Sequence, residues 1–180
     1  ISRFRVLLSS DVDEDSLNEV ANSRIPKLRS LQAHNSTVYR WNRPCYGISD
    51  NGQPHLRIEC RVIPSGPTVA DEMANACFWL GAVEGMADQV PDVRKLMSFD
   101  DVSDNFIKAA KFGIDSKFTW IKDKKISAVD LVKELIPVAE HGLKLKNVAQ
   151  EDIDRYLGII RDRSEKHMNG ARWMLRAFTD

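Results

Sequence analysis

Ser49-Asp50-Asn51-Gly52 stands between two runs in which polar and apolar residues alternate. Asn-Gly takes up left-handed backbone readily and closes tight two-strand turns. The spacing therefore predicts one antiparallel hairpin, with strands over Val38 to Tyr46 and His55 to Ile63. Side chains of a strand point alternately to opposite faces. In His55-Leu56-Arg57-Ile58-Glu59-Cys60-Arg61-Val62, that puts Leu56, Ile58, Cys60 and Val62 on a face expected to meet the core. Arg57, Glu59 and Arg61 share the other face, in the order plus, minus, plus.

The rest of the chain reads as mostly helical. Asp13 to Asn22 and Pro26 to His34 are helix-like, broken between them by Ser23 and Pro26. Pro64-Ser65-Gly66-Pro67 stops the second strand. Thr68 with Asp71, and Ser127 with Asp130, have the spacing of capping boxes. After Thr68, residues Val69, Met73, Ala76, Leu80 and Val83 fall on one helical face, and Gly81 and Gly85 suit close packing against the sheet. Asp100 to Phe112 predicts a helix ended by Gly113. Phe118 to Ile126 fits a small hairpin turning at Asp123-Lys124. Ile153, Tyr156, Leu157 and Ile160 carry a clear helical stripe. The fold class expected is α+β, helix-rich, with one dominant antiparallel hairpin.

At 180 residues and 43% hydrophobic, the chain can bury a core without a disulfide or metal staple. Lys plus Arg and Asp plus Glu both number 26, so no global charge draws it to nucleic acid or an anionic membrane. Any phosphate must be held by a local site. Three cysteines without metal-ligand spacing, Cys45, Cys60 and Cys77, read as reduced thiols of a cytoplasmic protein. No apolar run is long enough to span a bilayer, and no signal peptide is visible. The chain opens Ile1-Ser2-Arg3-Phe4-Arg5-Val6-Leu7-Leu8, which reads as the end of an amphipathic helix cut from something longer. His34, His55, His141 and His167 are scattered, and structural or surface roles are expected for them.

Two readings of the charged strand compete. A solvated ladder of ion pairs is common on exposed sheets and stabilises little. The alternative is a ligand face, in which a carboxylate between two guanidinium groups holds a hard cation such as Mg²⁺. The arginines would then grip phosphate or carboxylate oxygens. The neighbouring strand, Tyr39-Arg40-Trp41-Asn42-Arg43-Pro44, adds two more arginines among aromatics. Four arginines on one hairpin repel one another unless anions are bound there, which favours the ligand face.

Trp41-Asn42-Arg43-Pro44 followed by Arg57-Ile58-Glu59-Cys60-Arg61-Val62 resembles the second half of the bacterial glutamate–cysteine ligase type 2 family. Pro64 to Glu72, Asn75 and Gly170-Ala171-Arg172-Trp173 continue the likeness, which covers essentially the whole chain and is nearest the branch often fused to CBS domains. The Arg-Ile-Glu-x-Arg core is also similar to a strand of glutamine synthetase, in the same wider superfamily. Cys60 stands where members of the family often carry Asn.

The resemblance implies that residues 1–180 are the C-terminal half of a glutamate–cysteine ligase-like catalytic domain, with the hairpin part of a glutamine synthetase-like sheet. It implies an ATP- and Mg²⁺-dependent carboxylate–amine ligase of glutathione biosynthesis. Such an enzyme phosphorylates a glutamate-like acid to the γ-glutamyl phosphate, and an amine then displaces phosphate. Glu59 matches the family's acidic metal ligand. Arg61 matches the catalytic arginine at the transferring phosphate or γ-carboxylate, and Arg43 and Arg57 match further substrate- or phosphate-binding arginines. The family's other acidic ligands come from its N-terminal half, so this chain alone is expected to turn over nothing. The alternative is a non-catalytic binding or regulatory module that retains the ligase fold. Small molecules are the expected partners in either case, and homo-oligomerisation stays open.

Overall fold

The computed structural model describes residues 14–37, 41–63 and 66–179. The opening segment, Tyr39, Arg40, Pro64 and Ser65, on which some of the expectations above fall, lies outside the described residues. The protein is α+β and helix-rich, with two separate two-stranded antiparallel sheets among the described residues. The chain divides into two units, Ile1–Pro64 and Ser65–Asp180.

The first unit carries α1 (Ser16–Ala21), α2 (Arg29–Thr37), β1 (Asn42–Ile48) and β2 (Pro54–Cys60). Asp15 caps α1, its carboxylate accepting from the N–H groups of Leu17 and Asn18. Glu14 accepts from the N–H of Lys27 at 2.9 Å and so ties the start of α1 to the segment before α2. The expected hairpin is present over Asn42–Ile48 and Pro54–Cys60, its second strand ending before Ile63, while Val38, the expected start of the first, lies outside the described residues. Gly52 takes φ +80°, its N–H donates to the Ser49 carbonyl, and the Ser49 N–H donates to Gln53. The pairing register sets Arg43 opposite Glu59 and Cys45 opposite Arg57.

The alternation holds, but the expected burial is reversed. Leu56 is 78% exposed and Ile58 59%, whereas Cys45, on the face shared with Arg57 and Glu59, is buried. The reason lies in what covers the sheet. Asn35 of α2 reaches β1, its Nδ2 donating to the Pro44 carbonyl and its own carbonyl accepting from Arg43 Nη1. Among the described residues, the hairpin has no third strand or second layer over Leu56 and Ile58.

The second unit holds α3 (Val69–Gln89), α4 (Phe99–Phe112), β3 (Lys117–Trp120), β4 (Lys124–Ser127), α5 (Ala128–Leu145), α6 (Gln150–Glu165) and α7 (Gly170–Thr179). Both expected capping boxes form. Thr68 Oγ1 accepts from the Asp71 N–H at 3.3 Å and donates to its carboxylate at 2.7 Å. Ser127 does the same with Asp130. Gly113 ends α4 with φ +53°. Lys117–Trp120 and Lys124–Ser127 pair as a small hairpin, with Lys122 and Asp123 both at φ +58° in its turn.

The core sits where α3, α5 and α6 meet. Ala139, Leu143, Ile153 and Leu157 form one buried cluster, and Ala74, Ile136 and Ile160 another. The face that α3 buries is not the one bearing its large side chains. Val69, Met73, Leu80 and Val83 are exposed, while Ala74, Gly81 and Gly85 are buried. A Cβ on Gly142 of α5 would lie 2.1 Å from the Gly81 carbonyl oxygen and 2.5 Å from the Gly85 nitrogen. The glycines thus let α3 and α5 touch backbone to backbone, and they serve this helix pair instead of a sheet. No helix among the described residues is long and apolar enough to cross a membrane.

Candidate functional site

Four residues singled out in the sequence come together on one face of the first hairpin. Alternation places Arg57 and Glu59 of β2 on one face with Arg61, the residue just past it, and the register brings Arg43 across to Glu59. Arg43 Nε donates to Glu59 Oε2 at 2.5 Å. Arg61 approaches the other oxygen, with Nε at 2.9 Å and Nη2 at 2.8 Å from Oε1. These groups are half-buried: 16% of the Arg43 side chain, 27% of Arg61 and 35% of Glu59 remain exposed.

Hydrogen bonds from Arg43 and then Arg61 draw the Glu59 pKa down to about 2. Glu59 is therefore a carboxylate throughout the physiological range. Arg57 is held differently. Its Nη1 lies 3.0 Å from His55 Nε2, and His55 Nδ1 lies 3.2 Å from Ser49 Oγ. A guanidinium only donates, so Nε2 is the accepting side of the contact with Arg57. Three guanidinium groups and one carboxylate give this face a surplus of positive charge. Arg57, with no carboxylate partner among the described residues, is the cation best placed to receive an anion.

The site fits oxyanions and does not fit a divalent cation as it stands. A hard cation needs several oxygen ligands. Here both oxygens of the single carboxylate accept from guanidinium groups. Among the described residues no group of three or more His, Cys, Asp or Glu side chains could hold a metal ion.

Sequence reasoning missed two members of this face. Cys45 Sγ lies 3.6 Å from Glu59 Oε2, and His55 steadies Arg57. The signal for His55 was present, since it precedes Arg57 by two residues on the same strand. Cys45 required the register.

The remaining motifs lie in the second unit, and several of their residues meet there. Arg163 of α6 donates to the carboxylate and carbonyl of Asp71 and, at 2.7 Å, to Asn75 Oδ1. A Cβ on Gly170 would stand 3.2 Å from Pro67 Cδ, so the start of α7 sits against the start of α3. Arg172 pairs with Asp115 and donates to the His167 carbonyl. Arg163 was not picked out beforehand. Its signal is a charge placed three residues after buried Ile160, near the stripe of α6. No family model matches the chain, and neither does any curated protein or solved structure.

Proposed function

We propose that the hairpin face of Arg43, Arg57, Glu59 and Arg61 is the oxyanion-holding wall of an ATP-dependent carboxylate–amine ligase of the glutamate–cysteine type, working in the cytoplasm on a glutamine synthetase-like sheet. The observation that supports this most is the arrangement around Glu59. One carboxylate aligns two guanidinium groups from the two arms of the hairpin, and a third stands beside His55. In the proposed reaction an acid, an amine and ATP give an amide, ADP and phosphate. The acid's carboxylate oxygen takes the γ-phosphoryl group, and the amine then attacks the acyl carbon and expels phosphate. Both steps develop charge on non-bridging oxygens, which fixed guanidinium groups stabilise without reorganising. Arg61 takes the catalytic place at the transferring group, and Arg43 and Arg57 hold phosphate or substrate carboxylate. Glu59 keeps Arg43 and Arg61 in register. Magnesium at Glu59 would have to displace one of these arginines.

The test is a phosphate-release screen of the intact protein with ATP, Mg²⁺, glutamate and a panel of amino acids and amines. Arg61→Lys keeps the charge but loses the planar fork. Turnover should fall by about a hundredfold or more, the scale of removing one transition-state donor. Wild-type turnover in Arg61→Lys would remove Arg61 from the chemistry. A second reading is favoured by the engagement of both Glu59 oxygens: an anion-binding module without turnover. Saturable binding of ATP with no phosphate release against any acid and amine pair would select it.

A further inference from the structure

A cavity of about 460 Å³ opens in the second unit where the first turns of α3 and α7 meet the end of α6. That volume lies within the range of small-molecule sites. Its polar floor is already satisfied. Asp71 accepts from Arg163 and from Thr68 Oγ1 at 2.7 Å, and Arg163 also donates to Asn75. These groups hold the walls in place and offer a ligand little.

The other lining groups differ in two ways. Ile159, Met168, Pro67 and Trp173 make an apolar wall, and Trp173 stays 55% exposed, a large surface for an aromatic side chain to leave in water. The polar groups beside that wall are donors with capacity to spare. Asn169 uses its Oδ1 to accept from the Arg172 N–H at 3.0 Å, and its Nδ2 has no acceptor among the described residues. The Trp173 indole N–H likewise has none among them. The Lys166 ammonium donates to Asp162, in a surface pair at 2.7 Å with both partners more than half exposed. Such a pair is weak and readily gives way to a better anion. The acceptors on the lining, Asp71 and Asp162, are both occupied by cations.

From this we infer that the cavity between α3, α6 and α7 binds a small carboxylate with a flat apolar body, the ring lying against Trp173 and the carboxylate at Lys166 and Asn169. A surplus of donors next to an apolar wall calls for a ligand that is acceptor at one end and apolar at the other. The site is in Ser65–Asp180 and uses no residue of the arginine hairpin, so it stands or falls apart from the ligase reading.

Sodium phenylacetate is a suitable probe, with phenethylamine as its cationic counterpart. The ¹⁵N-labelled protein would be titrated with each while the Trp173 indole resonance is followed. Phenylacetate should shift it saturably, and phenethylamine should bind at least about tenfold more weakly, because the ammonium would meet donors. Lys166→Gln, an exposed position where folding is not at risk, should weaken phenylacetate several-fold, and Lys166→Arg should restore most of the affinity. Trp173→Ala should abolish saturable shifts elsewhere on the lining. The inference is overturned if the amine binds as tightly as the acid, which would make the site a cation–aromatic one. It is also overturned if Lys166→Gln leaves phenylacetate binding unchanged, or if the wild-type shifts never saturate.

Discussion

Glu59 concentrates the residue-scale argument, because its two oxygens are divided between Arg43 of β1 and Arg61 just past the end of β2. Its pKa is drawn from 4.5 to about 2, first by the hydrogen bond from Arg43 and then by that from Arg61. A carboxylate whose folded pKa is depressed stabilises the fold above its unfolded pKa. That contribution is lost as pH falls through the folded value. The clasp on the hairpin should therefore be complete above about pH 4.5 and dissolve as pH approaches about 2. The direct measurement is a carboxyl ¹³C titration of selectively labelled protein, with the Glu59 midpoint expected near 2. A midpoint near 4.5 would mean that the arginines do not hold it. Glu59→Gln keeps the shape and removes the charge, so hairpin stability in that variant should lose the part of its dependence on pH between 4.5 and 2 that Glu59 supplies. Whatever anion the face binds should also meet a less ordered Arg43 and Arg61.

Helix contacts decide stability at the scale of elements, and glycine makes the sharpest of them. A methyl group at Gly142 would collide with backbone atoms of Gly81 and Gly85, which cannot rotate aside. Gly142→Ala should cost about 1–3 kcal/mol or more by forcing α3 and α5 apart. Gly158, inside α6, is the internal control, since a Cβ there meets nothing within 4 Å. Gly158→Ala should stabilise by about 0.5–1 kcal/mol, through helix propensity and a less mobile unfolded chain. Urea unfolding of both variants reads the two signs, and a neutral Gly142→Ala would show that the helices do not meet at these glycines. The same contact explains what was legible in the sequence. The Asn51-Gly52 turn, the Thr68 and Ser127 caps, the Gly113 stop and the Ile153–Leu157–Ile160 stripe are local signals, and all appear in the structure. The buried face of α3 was not legible, because hydropathy rewards large side chains and this contact is made by their absence. The shared face of Arg57, Glu59 and Arg61 followed from period two alone. The places of Cys45 and Arg163 depended on which strand residue or helix turn stands opposite, and no local pattern encodes that.

Core material is divided unequally across the whole molecule, and that inequality has a measurable consequence. Among the described residues, eleven of the twelve buried apolar side chains lie in Ser65–Asp180, and Cys45 is the one in Ile1–Pro64. A two-stranded hairpin with little apolar burial is marginal by itself. Its ladder should open by local fluctuation well before the α3–α5–α6 core does. Hydrogen exchange followed by mass spectrometry should find amides of Asn42–Ile48 and Pro54–Cys60 exchanging at least about tenfold faster than those of Ala128–Leu145. Equal protection would mean that the two units open together. The experiment also locates the anion site. A ligand that binds only the folded hairpin stabilises it by RT ln(1 + [L]/Kd), about 2.7 kcal/mol at a hundred times Kd. Sodium pyrophosphate at that excess should slow exchange in β1 and β2 by about a hundredfold and leave α5 unchanged. Substituting Arg57→Gln should remove most of that slowing, because Arg57 is the guanidinium held by His55 in place of a carboxylate. If pyrophosphate instead protects α3, α5 and α6 and leaves the hairpin as it was, the arginine face is a structural ladder and the proposed ligase wall is wrong.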